Sequence, residues 1–368
     1  MAIQQAFTLT PNEIYETLAN MIISQQVFAD NIGKHQTLVD KARVDGGLYG
    51  DTKLYYATDC LESHDWLGDL EAGNLLSLDR PADPEVQAIK LDKFRQIRLT
   101  TDNYCTKRAF STEGAFSSFN GVMLGWMSET KKIYDGTLYN VYIGTTTGST
   151  TAQNVTIDIA SFTTGISGLD ADKKEAMVIA QNMADLFVKM GDYSRDYNDY
   201  GYLRSYANED IKVVWNSDYV NKIRKIDLPT IFNNEGLMDK FEEEVLPARY
   251  FGDVTSATVS SASNDGSYRS TVERDYTDST SATVHVFPGD VIPAGVTEDI
   301  AAGEAYVVNP KVIAKVLVKL PPYMSAFEVG TTFFNPRSLT ENHYTTFSHN
   351  TLSYLKNYPF ITVSEAWF

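Results

Sequence analysis

Residues 208–251 read NEDIKVVWNSDYVNKIRKIDLPTIFNNEGLMDKFEEEVLPARYF, and the order of elements in this stretch decides the fold class. Ile211, Val213 and Trp215 alternate with charged or polar neighbours, apart from Val214. This alternation predicts a short strand with one strongly buried face. The short polar side chains that follow accept hydrogen bonds from free backbone N–H groups, so they predict the N-cap of a helix.

A helix is predicted directly after this cap, and a second helix follows it. The apolar residues of the first helix recur at helical spacing, at Tyr219, Val220, Ile223 and Ile226. Pro229 should end that helix, residues 233–236 form a break, and residues 237–245 predict another short helix. Strand, helix, break, helix and strand together predict a compact α/β core.

Three features of this stretch resemble a known family. The Asn-x-x-Tyr step from strand to helix (Asn216 to Tyr219), the Leu-Pro pivot and the Arg-Tyr-Phe-Gly-Asp return at residues 249–253 are similar to the axial domain of tailed-phage major capsid proteins of the Hong Kong 97 fold. The nearest resemblance is to short-tailed phages with small genomes. It implies an α+β fold with an N-terminal arm, an extended loop, a peripheral domain with a long spine helix, and an axial domain.

The resemblance divides the chain into five segments. They are residues 1–41 (N-terminal arm), 42–92 (extended loop), 93–150 (peripheral domain with spine helix), 151–320 (axial domain) and 321–368 (return to the peripheral domain). A capping box that begins at Thr10 predicts a helix in the arm. Residues 253–288 predict a β-rich insertion, because two alternating Ser/Thr-rich runs flank a strong turn signal at Asn264-Asp265-Gly266.

Further helices and strands are predicted from periodicity. A long helix, which is the spine helix in the resembled family, should run from near Thr112 to Tyr134 because apolar residues recur every three or four positions. Residues 138–143 and 155–159 predict strands, and residues 172–190 predict an amphipathic helix. The remaining predicted strand regions are residues 86–104 as a strand pair, 305–319, 342–353 and 358–363.

Composition and charge limit the possible functions. The chain has 368 residues, 43% hydrophobic and 21% charged, which is typical of a globular protein with two lobes. The charge balance of 31 − 48 = −17 disfavours a broad phosphate-binding surface. A shell built from such an acidic chain would not bind the packed DNA electrostatically. The negative charge is therefore consistent with a protein that encloses DNA. Cys60 and Cys105 are far apart in sequence, and we expect free thiols in a reducing cytoplasm.

The sequence contains no recognisable catalytic motif. No nucleophile elbow, phosphate-binding glycine loop or His-Glu-x-x-His motif occurs, and no cofactor is predicted. Glu341, His343 and His349 are the nearest approach to a metal site, but they lie in a predicted strand without further ligands at helical spacing. No stretch is long and apolar enough to predict a membrane span or a signal peptide. We therefore predict no metal site and no membrane partner.

The sequence thus favours a non-enzymatic shell protein. The resemblance implies self-assembly through pentamers and hexamers into an icosahedral or prolate phage head around double-stranded DNA, without sequence-specific DNA binding. It also implies a portal protein as partner and assembly in the host cytoplasm, and we expect a separate scaffolding protein. Two alternatives stay open at this point: an encapsulin-like compartment, and a β-rich phage or cell-surface binding protein.

Subunit contacts are expected in three regions. The base of the extended loop carries a basic cluster, which suits contact between copies of an acidic chain. The other two regions are the spine helix and, in the axial domain, the Tyr-rich loop, which consists of residues 192–202. The predicted interface residues are Phe94, Arg95, Arg98, Trp126, Tyr197 and Tyr200.

Overall fold

The computed structural model describes residues 37–46, 52–66, 78, 80–102, 113–164, 168–224 and 242–366. The chain divides into two compact units. Unit 1 consists of Met1–Asp51, Lys90–Gly136 and Tyr323–Thr351, and unit 2 consists of Thr52–Ile89, Thr137–Pro322 and Leu352–Phe368. The helix predicted in the N-terminal arm, and Cys105, lie outside the described residues.

Helices and strands alternate irregularly along the chain, as expected for an α+β protein. The helices are α1 (Thr37–Ala42), α2 (Glu113–Thr145), α3 (Ile159–Thr163), α4 (Ala171–Gly191) and α5 (Ser217–Arg224). The strands are β1 (Arg43–Asp45), β2 (Thr52–Ala57), β3 (Glu85–Asp102), β4 (Asn154–Ile157), β5 (Lys212–Asn216), β6 (Glu242–Leu246), β7 (Gly252–Val254), β8 (Tyr268–Ser270), β9 (Arg274–Thr277), β10 (Thr283–Val286), β11 (Ala305–Val308), β12 (Val312–Leu317), β13 (Tyr323–Asn335), β14 (Thr340–Asn350) and β15 (Phe360–Glu365).

Unit 1 contains a sheet with the strand order β1-β13-β14-β3. β13 and β14 form an antiparallel hairpin, β14 pairs antiparallel with β3, and the short β1 pairs parallel with β13. The predicted strand pair at residues 86–104 is wrong, because β3 is one continuous strand of 18 residues. Its sequence contains no Gly or Pro that would turn the chain. The partner comes instead from β14, which the sequence placed at residues 342–353.

Unit 2 contains a second sheet, with the order β4-β15-β12-β5-β6. The predicted strand at Ile211 to Trp215 is confirmed as β5, and helix α5 follows it as predicted. Val214 is buried together with Val213 and Trp215, so β5 has two buried faces and not one. β12 pairs with one edge of β5 and β6 with the other, so β5 is an interior strand of this sheet.

The helix predicted at residues 237–245 is wrong where the structure describes it. Residues 242–246 form β6, which pairs parallel with β5 from Glu242 opposite Lys212 to Leu246 opposite Asn216. Three consecutive glutamates have good helix propensity, but propensity is a weak term that tertiary context overrides. Backbone hydrogen bonding to the exposed edge of β5 determines the conformation here.

The long helix is confirmed, and it is longer than predicted. α2 has 33 residues and continues through residues 138–143, which the sequence predicted as a strand. Leu-Tyr-Asn-Val-Tyr-Ile is rich in residues that favour strands. Tyr139, Val141 and Ile143 are nevertheless almost completely buried, so packing in unit 2 outweighs their intrinsic preference.

The helix predicted at residues 172–190 is confirmed as α4, and it covers the sheet of unit 2. Its buried residues form one apolar stripe: Ala176, Val178, Ile179, Met183, Leu186, Phe187 and Met190. They pack in one core cluster with Val213 and Trp215 of β5 and Val316 of β12. The strands predicted within residues 155–159, 305–319 and 358–363 are confirmed as β4, β11 with β12, and β15.

Residues 253–288 are rich in β-structure, as predicted, and the β-rich region continues beyond residue 288. It contains a three-stranded sheet with the order β7-β11-β8 and the hairpin β9-β10. Its own core cluster extends to Ala305: Val259, Tyr276, Val286, Ile292, Val296, Ile300 and Ala305. Asn264 does form a turn, in which its Oδ1 accepts from the Gly266 amide (3.1 Å). That turn does not join the predicted hairpin, because β9 and β10 are connected through residues 278–282.

Candidate subunit interface

Phe94 and Arg98 lie on an exposed face of β3 in unit 1. Phe94 is 67% exposed and Arg98 is exposed, because both side chains point to the same side of the strand. Arg95 points to the opposite side, where its guanidinium carbon lies 5.3 Å from the centre of the Tyr134 ring. Phe94 and Arg98 are therefore available to a partner, whereas Arg95 packs within its own chain.

The end of the β13-β14 hairpin has exposed apolar side chains on both faces of the sheet. Phe333 and Phe334 are adjacent in β13, so their side chains project from opposite faces of the sheet. They are 62% and 48% exposed, and Leu339 in the connecting turn is also exposed. No described residue covers these large apolar side chains. Phe333 and Phe334 were not among the predicted interface residues.

The predicted interface residues on α2 and in the Tyr-rich loop differ in accessibility. Trp126 is 43% exposed, while the next residue, Met127, is buried. Tyr197 is buried in the core cluster of unit 2, and burial raises its pKa. Tyr200 is half-buried, with its ring centre 5.5 Å from that of Tyr202. Tyr193, which the sequence analysis did not select, is 73% exposed and is the accessible aromatic residue of this loop.

Residues 52–66, 78 and 80–89 of unit 2 include several exposed apolar side chains. Along β2, Leu54 and Tyr56 are exposed while Ala57 is buried, which is the period-two pattern of a strand with one bare face. Val86 at the start of β3 is exposed as well. The other large exposed side chains here are Leu61, Trp66 and Leu78.

A buried polar network holds the sheet of unit 1 against α2. Tyr323 donates a hydrogen bond to Asp135 Oδ1 (2.6 Å), and Arg43 Nη2 lies 3.2 Å from Asp135 Oδ2. Burial raises the pKa of Asp135, and the neighbouring groups only partly oppose this. The network fixes the short strand β1 to the helix through one ion pair.

The histidines considered for metal binding have structural roles. His349 Nδ1 faces the Asn350 carbonyl (2.9 Å), so it carries the proton, and Nε2 accepts from the Tyr134 hydroxyl (2.8 Å). Burial lowers the pKa of His349, which favours this neutral form. His343 Nε2 lies 3.3 Å from Thr101 Oγ1. Within the described ranges, no group of three His, Cys, Asp or Glu side chains is arranged to hold a metal ion.

Cys60 is a free, exposed cysteine. Among the described helices, none has the length and apolar character needed to cross a membrane.

Comparison with solved structures identifies the class: this chain has the fold of tailed-phage capsid proteins. A chain of the Staphylococcus phage Andhra capsid structure aligns with a TM-score of 0.60 and 12% identity, over 93% of this chain and 87% of that chain. A chain from a structure of the head fiber and inner core protein of native bacteriophage P68 aligns with a TM-score of 0.55 and 13% identity, over 92% and 87%.

The family follows from the sequence itself. The Phi29-like phage major capsid protein family matches residues 2–364, so the chain belongs to this family. It is a structural, non-enzymatic shell protein of the virion capsid. A search of curated protein sequences finds no match. The encapsulin-like and β-rich binding-protein alternatives are not favoured.

Proposed function

We propose that copies of this chain associate as pentamers and hexamers into a closed phage head that encloses double-stranded DNA. The main support for a role as a shell protein is the family match over residues 2–364. The net charge of −17 supports an inner wall that contains DNA without binding particular sequences. A wall of this charge lets the genome be packed and released without strong contacts.

The contacts between copies are proposed at three places. The sheet surface consists of Phe94, Arg98, Phe333, Phe334 and Leu339. The projection surface consists of Leu54, Tyr56, Leu61, Trp66, Leu78 and Val86. Trp126 on α2 is the third. Their exposure supports this assignment, because bare aromatic and aliphatic side chains are the usual anchors of protein interfaces. Many modest contacts of this kind add up to a stable shell.

The arm, extended-loop, peripheral-domain and axial-domain assignments are part of the proposal. Unit 1 combines Lys90–Gly136 with Tyr323–Thr351, which supports a peripheral domain that the chain leaves and re-enters. The resemblance to tailed-phage capsid proteins supports assembly in the host cytoplasm with a separate scaffolding protein, and attachment to a portal protein.

Expression of the chain alone and with its neighbouring genes tests this function. Light scattering and negative-stain electron microscopy should detect closed shells, or rings of five and six copies. Shells formed during infection should contain DNA that resists added nuclease. A uniform small oligomer under every condition would contradict the proposal.

A further inference from the structure

The end of β2 is held by one carboxylate. Asp59 Oδ2 lies 2.6 Å from Arg195 Nη1, and Asp59 Oδ1 accepts from the amides of Leu203 (3.0 Å) and Cys60 (2.9 Å). The hydrogen bonds from Arg195 and Leu203 hold the pKa of Asp59 well below its ordinary value, so the carboxylate is ionised at neutral pH. One side chain thus joins the segment after β2 to residues 195–203.

The loop from Ser194 to Arg204 is closed by its own hydrogen bonds. Ser194 and Arg204 exchange two backbone hydrogen bonds (3.0 and 2.9 Å). Within this loop, the Asn198 side chain donates to the Tyr202 carbonyl (2.7 Å) and accepts from the Tyr202 amide (2.8 Å). Arg204 Nη2 also donates to the Thr58 carbonyl. The end of β2 therefore contacts a loop whose shape is fixed by several internal contacts.

A second polar attachment lies at the start of β3. Gln87 Nε2 donates to the Tyr354 carbonyl (2.9 Å), and Gln87 Oε1 accepts from the Lys356 amide (3.0 Å). Gln87 lies close to β2, because it lines the same small cavity as Tyr55 and Tyr56. The side chains of Asp59 and Gln87 therefore both fasten this region to the rest of unit 2.

Residues 52–66 have little apolar anchoring of their own. Ala57 is the only buried residue among them. Leu61 and Trp66 are 77% and 90% exposed. Every residue of β12, by contrast, is buried. Partly exposed hydrogen bonds and ion pairs stabilise a fold much less than such a core, so this segment has the contacts of a region that opens before the unit unfolds.

We propose that Asp59 and Gln87 form a polar latch that fixes the direction of residues 52–66, and that the latch opens while the core of unit 2 stays folded. This segment carries most of the projection surface, so the latch positions a proposed contact between copies, and that role rests on the proposed function. The latch itself does not, since all its contacts lie within one chain. A surface that is held in one direction binds more tightly, because less conformational freedom is lost on binding.

Distances between spin labels test the latch in unassembled, full-length chains. Labels at Ser63→Cys and Lys173→Cys, in a chain whose two native cysteines are replaced by serine, report the direction of residues 52–66 relative to α4. Both positions are exposed. We expect one narrow distance distribution, and a broad distribution without a single peak in the double variant that adds Asp59→Ala and Gln87→Ala. An unchanged distribution in the double variant, or a broad one before the latch is removed, would overturn the proposal.

Matched substitutions separate the latch from other effects. Asp59→Asn should broaden the distribution less than Asp59→Ala, because its side-chain oxygen still accepts from the Leu203 amide while its NH2 group cannot pair with Arg195. Asp65→Asn is the control, since Asp65 is an exposed carboxylate of the same segment, and it should leave the distribution unchanged. Equal broadening by Asp65→Asn and Asp59→Asn would mean that net charge, and not the latch, controls this segment.

Thermal melting shows whether the core stays folded when the latch is removed. Followed by circular dichroism, the double variant should melt close to the temperature of the wild type, because β12 and the helices of unit 2 keep their contacts. A large loss of melting temperature would place Asp59 and Gln87 in the cooperative core and overturn independent opening.

Assembly measures the use of the latch in the shell. The double variant should need about tenfold more protein than wild type to assemble half of its chains, as measured by light scattering. Wild-type chains that form no shells would contradict the proposed function and leave the distance result standing. Equal assembly of wild type and double variant would show that the latch does not position the contact surface.

Discussion

The sheets of the two units differ in how completely their side chains are buried by the rest of the chain. In unit 2 every residue of β12 is buried. In unit 1, β3 leaves Phe94 and Arg98 exposed, and the end of the β13-β14 hairpin leaves Phe333 and Phe334 exposed on opposite faces. The sheet of unit 2 completes its core within one chain. The sheet of unit 1 does not, which is the behaviour expected where copies of a shell protein meet.

This difference predicts that equal chemical changes have unequal consequences in the two sheets. Substitutions in the covered sheet should lower the free energy of unfolding of the unassembled chain. Substitutions on the bare sheet should leave folding unchanged and weaken association.

Val316→Asp should have the largest effect. Val316 is completely buried in β12, between Ile361 of β15 and Val213 of β5. A carboxylate there has no partner, and we expect a loss of roughly 4 kcal/mol or more in the free energy of unfolding. Denaturant unfolding followed by circular dichroism measures it. A loss below about 1 kcal/mol would show that β12 is less enclosed than its burial indicates.

Lys315 should make the stability of the covered sheet depend on pH. It is fully buried, and its Nζ donates to the Thr146 carbonyl just after α2 (2.5 Å) and to Thr362 Oγ1 (2.8 Å). Desolvation lowers the pKa of Lys315 to about 7, against 10.5 for an ordinary lysine. The folded chain therefore binds fewer protons than the unfolded chain between these values. The free energy of unfolding should rise with pH in this window, by up to about 1.4 kcal/mol per pH unit.

Comparison with Lys315→Met isolates this contribution, since other groups also titrate. The wild-type curve between pH 7 and 10 should be steeper than the Lys315→Met curve. Lys173→Met serves as the matched control, because Lys173 is exposed on α4. It should leave the slope unchanged. Parallel curves for wild type and Lys315→Met would mean that Lys315 keeps an ordinary pKa in the folded chain.

Two glycines of α2 provide a matched comparison within one helix. A Cβ at Gly144, in unit 2, would overlap the backbone carbonyl of Tyr250, whereas a Cβ at Gly121, in unit 1, meets nothing within 4 Å among the described residues. Gly144→Ala should lower the free energy of unfolding by about 1–3 kcal/mol. Gly121→Ala should raise it by about 0.5–1 kcal/mol, because alanine favours the helix. Changes of the same sign would contradict the difference in packing.

Local patterns predicted the elements in which pattern and packing agree. The strand at Ile211 to Trp215, helix α5 and the stripe of α4 follow their periodicity. The strand predicted at residues 138–143 and the helix predicted at residues 237–245 were wrong for the same physical reason. In both segments, tertiary contacts outweighed a weak local preference for the predicted conformation. Tyr139 and Ile143 are helical because they are buried in unit 2, and Glu242–Leu246 is a strand because β5 offers a pairing edge. Neither cause is visible in the local sequence.

The interface residues were only partly predictable for a similar reason. Exposure of Phe94 and Arg98 follows from alternation along β3, which the sequence contains. Tyr197 and Tyr193 belong to the same Tyr-rich loop, yet the first is buried and the second is exposed. Composition cannot separate them, because the fold of the loop decides which ring turns inward.

Phe333→Asp should have the smallest effect on unfolding and a large effect on assembly. Phe333 is mostly exposed, so an aspartate there is solvated and the free energy of unfolding of the unassembled chain should change by no more than about 0.5 kcal/mol. Between copies, the same carboxylate would be buried beside apolar groups of a chain with a net charge of −17, so shell formation should be lost. Unfolding curves together with light scattering measure both effects. Thr331→Asp, on the same face of β13 and also exposed, tests whether charge alone is responsible. If Phe333→Asp assembles normally, the bare end of the hairpin lies outside the contacts between copies, and the projection surface of unit 2 becomes the next place to test.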